Sequence, residues 1–236
     1  MSRWRETGAE AWGDDRARDR RSGGRDVLLL NRLLLPLRHV GGNATGRGGP
    51  RHDEPVTDHA KAALLVIDVQ KGFDDLEYWG PRNNPDCEAN IAALLARWRE
   101  TDRPVVFVRH DSDEAQSPLR PDNPGNAFKD VVTGEPDVIV SKRTNSCFYG
   151  DPDLHEWLQQ RKIKQLVLCG ITTNHCCETT ARMGGNLGYD VEFVLDATHT
   201  FDRGDLTADQ IFHTTAVNLD GEFAKVVTTA GVLEDA

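Results

Sequence analysis

The chain has 236 residues and a formal net charge of −10 at pH 7, from 28 basic and 38 acidic side chains. This length suits one α/β domain with a sizeable core and leaves little room for a second full domain. The acidic charge argues against non-specific binding to nucleic acid or to an anionic membrane, so we expect neither as a partner.

The first 55 residues differ in composition from the rest of the chain. They contain 11 arginines, no lysine and 8 acidic residues, which gives +3 and leaves −13 for the remainder. Arg- and Gly-rich sequence buries too little apolar surface to offset its chain entropy. We therefore predict a disordered or weakly structured extension over residues 1–57 and a folded domain over 58–236. The apolar stretch 27–37 leaves an export signal or a short docking helix as alternatives, but Asn31 and Arg32 interrupt it.

From residue 59 onward, apolar runs alternate with stretches of helical periodicity. Runs typical of buried parallel strands lie at 62–67, 104–108, 138–140, 166–169, 191–195 and 225–227. Helical stretches lie at 87–99, 152–161, 175–187 and 207–223. This alternation predicts a doubly wound α/β fold, with a mainly parallel six-stranded sheet and helices on both faces in three layers.

The cysteines indicate neither a disulfide framework nor a zinc site. They are odd in number, irregular in spacing and without a Cys-x-x-Cys pair, so a reducing cytoplasm is the predicted location. The cysteines are Cys87, Cys147, Cys169, Cys176 and Cys177.

Reactive side chains follow the first four predicted strands. Asp68 follows the first strand, His110 and Asp111 the second, Lys142 the third and Cys176 the fourth. In doubly wound sheets, ligands bind beyond the carboxyl ends of the strands. An acid, a cation and a thiol are therefore predicted to share one edge of the sheet.

Cys176 is the predicted nucleophile. With Thr173 or Asn174 as the N-cap, it lies in the first turn of a helix. Free N–H groups and the helix dipole favour a thiolate there and can bind a developing oxyanion. The alternative is that Cys176 is only a small buried residue, as free cysteines usually are.

Asp68 rather than His175 is the predicted base. Neighbouring helical residues point about 100° apart, so His175 is expected at the rim while Cys176 faces the site. An acid at a strand end is often a capping group and most lysines are solvated, so Asp68 and Lys142 are weak signals alone. Beside a thiol, they suggest a buried ammonium that stabilises both anionic forms.

Three ordered motifs resemble the isochorismatase-like cysteine hydrolase superfamily. They are Leu-Val-Ile-Asp-Val-Gln-Lys-Gly-Phe at 65–73, Val-Ser-Lys at 140–142 and Gly-Ile-Thr-Thr-Asn-His-Cys at 170–176. The resemblance covers about residues 60–235, so the domain over 58–236 is expected to be an isochorismatase-like hydrolase domain. It leaves the first 57 residues unexplained.

This resemblance implies roles for the three reactive residues. Asp68, Lys142 and Cys176 would form a catalytic triad, and the reaction would pass through a thioester on Cys176. A cis peptide between Ile171 and Thr172 would place the Thr172 N–H beside that of Cys176, and the two would form an oxyanion hole.

The metal-containing nicotinamidase branch of the superfamily carries an Asp-x-His after the second strand. This chain has no Asp-x-His there, so no metal or other cofactor is expected, although His110 and Asp111 are candidates for substrate binding. Phe73, Trp79 and Phe148 are candidate walls of the substrate pocket. Ordinary core packing is the alternative for these aromatic residues.

A retained cysteine indicates hydrolysis of a non-peptide C–N bond of a small molecule. The resemblance leaves several substrates open: carbamoyl, biuret or ureido compounds, nicotinamide-like amides, isochorismate, or the lactam of an antibiotic that a streptothricin-hydrolase-like enzyme would inactivate. It also favours a homodimer or a larger homo-oligomer. A catalytically silent binding or oligomerisation module is the non-enzymatic alternative, against which the intact Asp68, Lys142 and Cys176 argue.

Overall fold

The computed structural model describes residues 61–234, so the prediction for residues 1–57 lies outside the described part. The strands are β1 (Ala63–Ile67), β2 (Val105–His110), β3 (Val138–Lys142), β4 (Gln165–Ile171), β5 (Asp190–His199) and β6 (Lys225–Val227). The α-helices are α1 (Leu76–Trp79), α2 (Cys87–Glu100), α3 (Leu154–Gln160), α4 (Glu178–Asn186), α5 (Ala208–Leu219) and α6 (Thr229–Glu234). Within residues 61–234, no helix is long and apolar enough to cross a membrane.

The six strands form one parallel sheet in the order β3-β2-β1-β4-β5-β6. The chain builds one half of the sheet outward from β1 and then returns to place β4 on the other side of β1. The strand order therefore reverses between β1 and β4, and ligands bind doubly wound sheets in the crevice at such a reversal. The predicted fold class is confirmed, and residues that follow β1 and β4 flank this crevice.

Each face of the sheet has its own apolar core. Leu64 and Val66 of β1 pack with side chains of α2 and α6, whereas Leu65 and Ile67 pack with side chains of α3, α4 and α5. Successive strand residues point to opposite faces, so a strand covered on both sides is apolar throughout. Each of these four side chains is fully buried and contributes about 1.5–3 kcal/mol relative to exposure.

The observed elements differ most from the predicted ones in β5, in the turn that carries Cys176 and in two short helices. The strand β5 continues to His199, beyond the predicted end at residue 195, because polar residues interrupt its apolar run there. The helix predicted over 175–187 is instead a π-helical turn, Thr173–Cys177, that leads into α4. The helices α1 and α6 were not predicted, because segments this short show no helical periodicity.

Candidate active site

Three side chains meet beyond the carboxyl ends of β1, β3 and β4. Asp68 directly follows β1, Lys142 is the last residue of β3, and Cys176 lies in the turn after β4. The Lys142 ammonium donates to Asp68 Oδ2 at 2.6 Å and to Cys176 Sγ at 3.3 Å. All three residues are buried. The structure thus brings together the acid, the cation and the thiol that the sequence analysis placed at one edge of the sheet.

The Lys142 ammonium has an acceptor for each of its three N–H groups. The third acceptor is Nδ1 of His110, at 3.2 Å. Since an ammonium can only donate, His110 accepts at Nδ1 and carries its proton on Nε2. Burial and the adjacent Lys142 charge lower the pKa of His110, which keeps the ring neutral. The ammonium is therefore held in place from three directions.

The electrostatics of the site favour an ion pair beside a neutral thiol. Burial acts to lower the pKa of Lys142, but its charged and hydrogen-bonded neighbours, Asp68 first among them, together raise it. Burial, and after it the Asp68 carboxylate, raises the pKa of Cys176 well above its usual range, although Lys142 acts to lower it. The helix position alone had suggested a resident thiolate. The surroundings instead keep the sulfur protonated until its proton has an acceptor.

These opposing effects on the pKa of Cys176 predict a counter-intuitive result. Asp68→Asn removes the charge that raises this pKa and leaves Lys142, which lowers it. We expect iodoacetamide at neutral pH to alkylate Cys176 slowly in the native protein and at least about tenfold faster in Asp68→Asn, because the thiolate fraction rises when the pKa of the thiol falls. Peptide mass spectrometry measures the rate. An equal or slower rate in Asp68→Asn contradicts this account, and the fully buried Cys169 is the internal unreactive reference.

One oxygen of Asp68 is left without a partner. Oδ1 is buried and accepts no hydrogen bond from any residue in the described range. A buried acceptor without a partner is costly, and such groups in native structures often have a functional role. A carboxylate oxygen of Asp68 and the Cys176 sulfur lie within 4.8 Å of each other. An acceptor for the thiol proton is therefore available beside the sulfur.

The N-cap of the turn that carries Cys176 is Thr172, and not Thr173 or Asn174 as predicted. No side chain caps this turn, which is π-helical over Thr173–Cys177. The peptide bond between Ile171 and Thr172 is cis, as the resemblance implied. The two backbone N–H groups proposed for the oxyanion hole therefore belong to Thr172, the N-cap of this turn, and to Cys176, which carries the thiol.

Gly170 allows β4 to approach β1 directly before this turn. Its φ is 132°, a conformation that side chains rarely permit. A Cβ at this position would also overlap the backbone carbonyl of Ile67. Glycine is therefore needed for the thiol-bearing turn to start beside the strand end that carries Asp68.

Asp68, His110 and Cys176 are also donors of the kinds that transition metals prefer, with ligand atoms within 4.8 Å of one another. However, the Lys142 ammonium contacts an atom of each, at 2.6, 3.2 and 3.3 Å. A divalent ion would meet this fixed positive charge at contact distance. These three residues therefore surround the Lys142 ammonium group, and the arrangement does not fit a metal ion.

A pocket adjoins the Cys176 turn on the side of β5. Trp79 forms one wall, and its ring stacks on Phe201 at a centroid distance of 5.6 Å. The ring centroid of Phe73 lies 4.8 Å from that of Trp79, and Phe73 packs in the core behind this wall. The pocket is lined by Trp79, Thr172, Asn174, His175, Thr200, Phe201, Asp202 and Arg203.

Two candidate substrate-binding residues have other partners in the structure. Asp111 Oδ1 accepts hydrogen bonds from Arg109 and Asn126, each at 3.1 Å. Phe148 stacks on Tyr189 at 5.8 Å and belongs to the core beneath α3 and α4. Phe148 is buried in this core and does not line the pocket beside the Cys176 turn, which favours the core-packing alternative, and its role in substrate binding stays a prediction.

The sequence analysis assigned no role to three residues that shape the site. Gln70 is fully buried, accepts from the His110 N–H and donates to the His110 carbonyl. It thereby fixes the backbone next to the ring that holds Lys142. Phe201 and Arg203 line the pocket from the segment after β5. The signal for Gln70 was a polar residue three positions after a buried strand, whereas the other two lie beyond the predicted end of β5.

A second group of charges holds the segment that carries Trp79. Arg82 donates to both carboxylate oxygens of Glu88, at 2.7 and 2.9 Å, and Lys129 donates to Glu88 and to Asp74, at 2.7 and 2.6 Å. Burial would raise the pKa of Glu88, but the hydrogen bonds from Arg82 and Lys129 outweigh it and hold that pKa far below its usual value. The segment from Asp74 to Arg82 is thus tied to the start of α2 by charged hydrogen bonds.

Comparisons with other proteins match the same part of the chain that the structure describes. Residues 62–231 match the family described as the isochorismatase domain. The isochorismatase family protein YrdC of Bacillus subtilis (strain 168) is 41% identical over 181 residues, which cover 74% of this chain and 96% of that protein. Nicotinamidase 3 of Arabidopsis thaliana is 32% identical over 180 residues, with coverages of 70% and 84%. Ureidoacrylate amidohydrolase RutB of Methylobacterium radiotolerans is 30% identical over 197 residues, with coverages of 66% and 76%.

Solved structures show the same fold. One, assigned to a hydrolase of the isochorismatase family from Chromobacterium violaceum, has a TM-score of 0.71 and 38% identity, and the match covers 75% of this chain and 94% of that one. A cysteine hydrolase from Pseudomonas syringae pv. phaseolicola has a TM-score of 0.67 and 27% identity, with coverages of 75% and 93%. The likeness thus extends over nearly all of the described residues.

Proposed function

We propose that this chain, which belongs to the isochorismatase family and is a hydrolase of that family, cleaves a non-peptide C–N bond of a small molecule through a thioester on Cys176. One observation carries the proposal. A buried ammonium, Lys142, contacts both Asp68 Oδ2 and Cys176 Sγ, and a carboxylate oxygen of Asp68 lies within 4.8 Å of that sulfur. This arrangement supplies a nucleophile, a base and a fixed countercharge in one enclosed space.

In the first half of the proposed reaction, Asp68 accepts the proton of the Cys176 thiol and the sulfur attacks the carbonyl carbon of the substrate. The carbonyl oxygen becomes an oxyanion, which the N–H groups of Thr172 and Cys176 would bind. The tetrahedral species then collapses, and Asp68 returns the proton to the departing nitrogen. An amine or ammonia leaves, and the acyl group remains on Cys176.

In the second half, water replaces the departed amine. Asp68, again ionised, takes one proton from the water, and the resulting hydroxide attacks the thioester carbon. Collapse breaks the C–S bond and releases a carboxylic acid, and the proton held by Asp68 returns to the sulfur. Asp68 alternates between base and acid in both halves, while Lys142 stays charged and in place.

The substrate class is supported by two kinds of observation. Ureidoacrylate amidohydrolase and nicotinamidase are names of relatives that act on C–N bonds. A thiol beside a carboxylate suits acyl transfer, whereas cleavage of a vinyl ether, as in isochorismatase, depends less on a cysteine. We therefore favour ureides and carbamoyl compounds, with simple amides and lactams next. A catalytically silent module would have no need for an unpartnered buried carboxylate oxygen.

A substrate screen tests this function. Ureides, carbamoyl compounds, primary amides and lactams are incubated with the purified chain, and ammonia release and ring opening are measured. We expect hydrolysis of at least one C–N substrate class, with no loss of rate after treatment with a strong chelator, because Lys142 occupies the space a metal would need. Loss of activity that zinc restores contradicts the metal-independent mechanism, and absence of turnover on every class contradicts the hydrolase assignment to C–N bonds.

A further inference from the structure

An exposed asparagine contacts the sulfur of the proposed nucleophile, and the two half-reactions described above do not use it. Oδ1 of Asn145 lies 3.8 Å from Cys176 Sγ and accepts a hydrogen bond from the thiol. Asn145 is exposed, whereas Cys176 and the two charged groups beside it, Asp68 and Lys142, are buried. Asn145 therefore lies on the side of the sulfur that solvent reaches.

The loop that carries Asn145 is held at its base and on both sides of this residue. The backbone groups of Ser141 and Asp151 exchange hydrogen bonds at 2.9 and 2.8 Å, which closes the loop that follows β3. Within the loop, the Thr144 hydroxyl donates to the Ser146 carbonyl at 3.3 Å and so bridges the residues on either side of Asn145. The backbone is thus fixed where the amide group meets the sulfur.

In the proposed reaction, the carbonyl carbon under attack carries an oxygen, an acyl chain and a nitrogen, and each would lie on a different side of the sulfur. The oxygen would face the N–H donors Thr172 and Cys176, which follow β4. The acyl chain would extend toward β5, into the pocket that Trp79 walls. The side that remains for the nitrogen is that of β3, the strand that provides Lys142 and leads into the loop with Asn145.

The same reaction would remove the donor that Asn145 has in the resting protein. When the thiol proton passes to Asp68 and the S–C bond forms, Oδ1 of Asn145 no longer has an S–H group to accept from. The nitrogen that leaves is two bonds from the sulfur, and in a primary amide or an unsubstituted ureide it carries N–H groups. Such an N–H can replace the lost donor, whereas the alkoxy oxygen of an ester cannot, because it has no proton to donate.

We propose that Asn145 accepts a hydrogen bond from the nitrogen that leaves, so that the enzyme selects amides and ureides with an N–H at the scissile bond over esters and tertiary amides. This role rests on the proposed function, because it belongs to the same acyl transfer on Cys176. With one N–H directed to Asn145, the lone pair of the nitrogen is left for the proton that Asp68 returns. The C–N bond then breaks, and its electron pair leaves with the amine or ammonia.

Substrate pairs that differ in the leaving group test this role. Propylurea and methyl N-propylcarbamate release ammonia and methanol respectively, as do propionamide and methyl propionate. We expect Asn145→Leu, which removes the acceptor at similar size, to lower kcat/KM about five- to tenfold for the urea and the amide and less than about twofold for the two esters. Asn145→Asp keeps an acceptor in the same place. Its charge should slow both members of a pair, so the ratio of their rates should stay near the native ratio.

Binding to an inactive protein tests the same contact without turnover. Cys176→Ala protein, with and without Asn145→Leu, is titrated calorimetrically with the four compounds. We expect Asn145→Leu to weaken binding of propylurea and propionamide about fivefold and to leave binding of the two esters unchanged. The control is Asn218→Leu, the same change at an exposed position near the end of α5, which leads away from the edge that carries the site. It should alter neither rates nor binding.

The two measurements keep this role distinct from the proposed function. Equal effects of Asn145→Leu on the N–H compounds and on the esters, or no effect on either, overturn the role of Asn145, and hydrolysis of any C–N compound leaves the proposed function standing. Failure of all four compounds to bind also overturns the role. If the native chain hydrolyses no C–N compound while the difference in binding persists, the C–N hydrolase assignment fails and the contact with Asn145 stands.

Discussion

Cys176→Ala should lower kcat by about 10⁴-fold or more on any substrate that the native chain hydrolyses, because no other group can carry the acyl intermediate. The protein should still fold, since the substitution removes one sulfur atom from a site whose Asp68–Lys142 ion pair remains intact. Initial rates of ammonia release at saturating substrate measure the loss. Mass spectrometry of native enzyme quenched in acid during turnover should show the acyl adduct on the peptide that contains Cys176.

A neighbouring cysteine provides the matched control. Cys177→Ala removes a buried thiol one residue away, which belongs to the core under α4, whereas Lys142 donates to Asp68, His110 and Cys176. It should reduce stability by about 1–2 kcal/mol and leave kcat within a few-fold of native. Activity that survives in Cys176→Ala, or an equal loss in both variants, would remove Cys176 from the mechanism.

The second large effect is expected at Lys142. Lys142→Met should abolish turnover and reduce the free energy of unfolding by about 3–5 kcal/mol, because it leaves the Asp68 carboxylate buried without a countercharge. The pair is fully enclosed, with both side chains 0% exposed and 2.6 Å between nitrogen and oxygen. Urea denaturation followed by circular dichroism measures the change in stability, and ammonia release measures the activity.

A double substitution separates stability from catalysis at this pair. Asp68→Asn with Lys142→Met removes both charges, so most of the lost stability should return while turnover stays absent. The exposed pair of Arg120 and Asp122 is the control, because water screens it and Arg120→Met should hardly move the unfolding midpoint. If the double variant is as unstable as Lys142→Met, the instability has a packing origin and the electrostatic explanation is wrong.

Much of the fold and the centre of the site could be predicted from the sequence. The β1 run is apolar because both faces are covered, and this signal identified the parallel sheet. The placement of Asp68, Lys142 and Cys176 at one edge followed from alternation alone, since the carboxyl ends of parallel strands meet there. The hydrogen bonds that join these three side chains could not be predicted, because they depend on side-chain geometry, which a sequence pattern does not report.

The remainder of the site was hidden for physical reasons. Periodicity reports burial and does not say which side chains a buried ring touches, so Phe148 was open to two interpretations. The polar end of β5 broke the apolar run, and Arg203 lies just beyond that end. Helix position suggested a thiolate at Cys176, but desolvation and the negative charge of Asp68 act the other way. Such opposing effects can be ranked only when the neighbours are known.

The three hydrogen bonds that hold the Lys142 ammonium have a consequence for the proposed catalytic cycle. One positive charge, one negative charge and one transferable proton are shared among Lys142, Asp68 and Cys176. When that proton passes from sulfur to oxygen, the negative charge passes in the opposite direction, and the enclosed volume stays electroneutral. No ion has to enter from the solvent or leave to it during the proposed acyl transfer, so the buried site carries no net charge at any step.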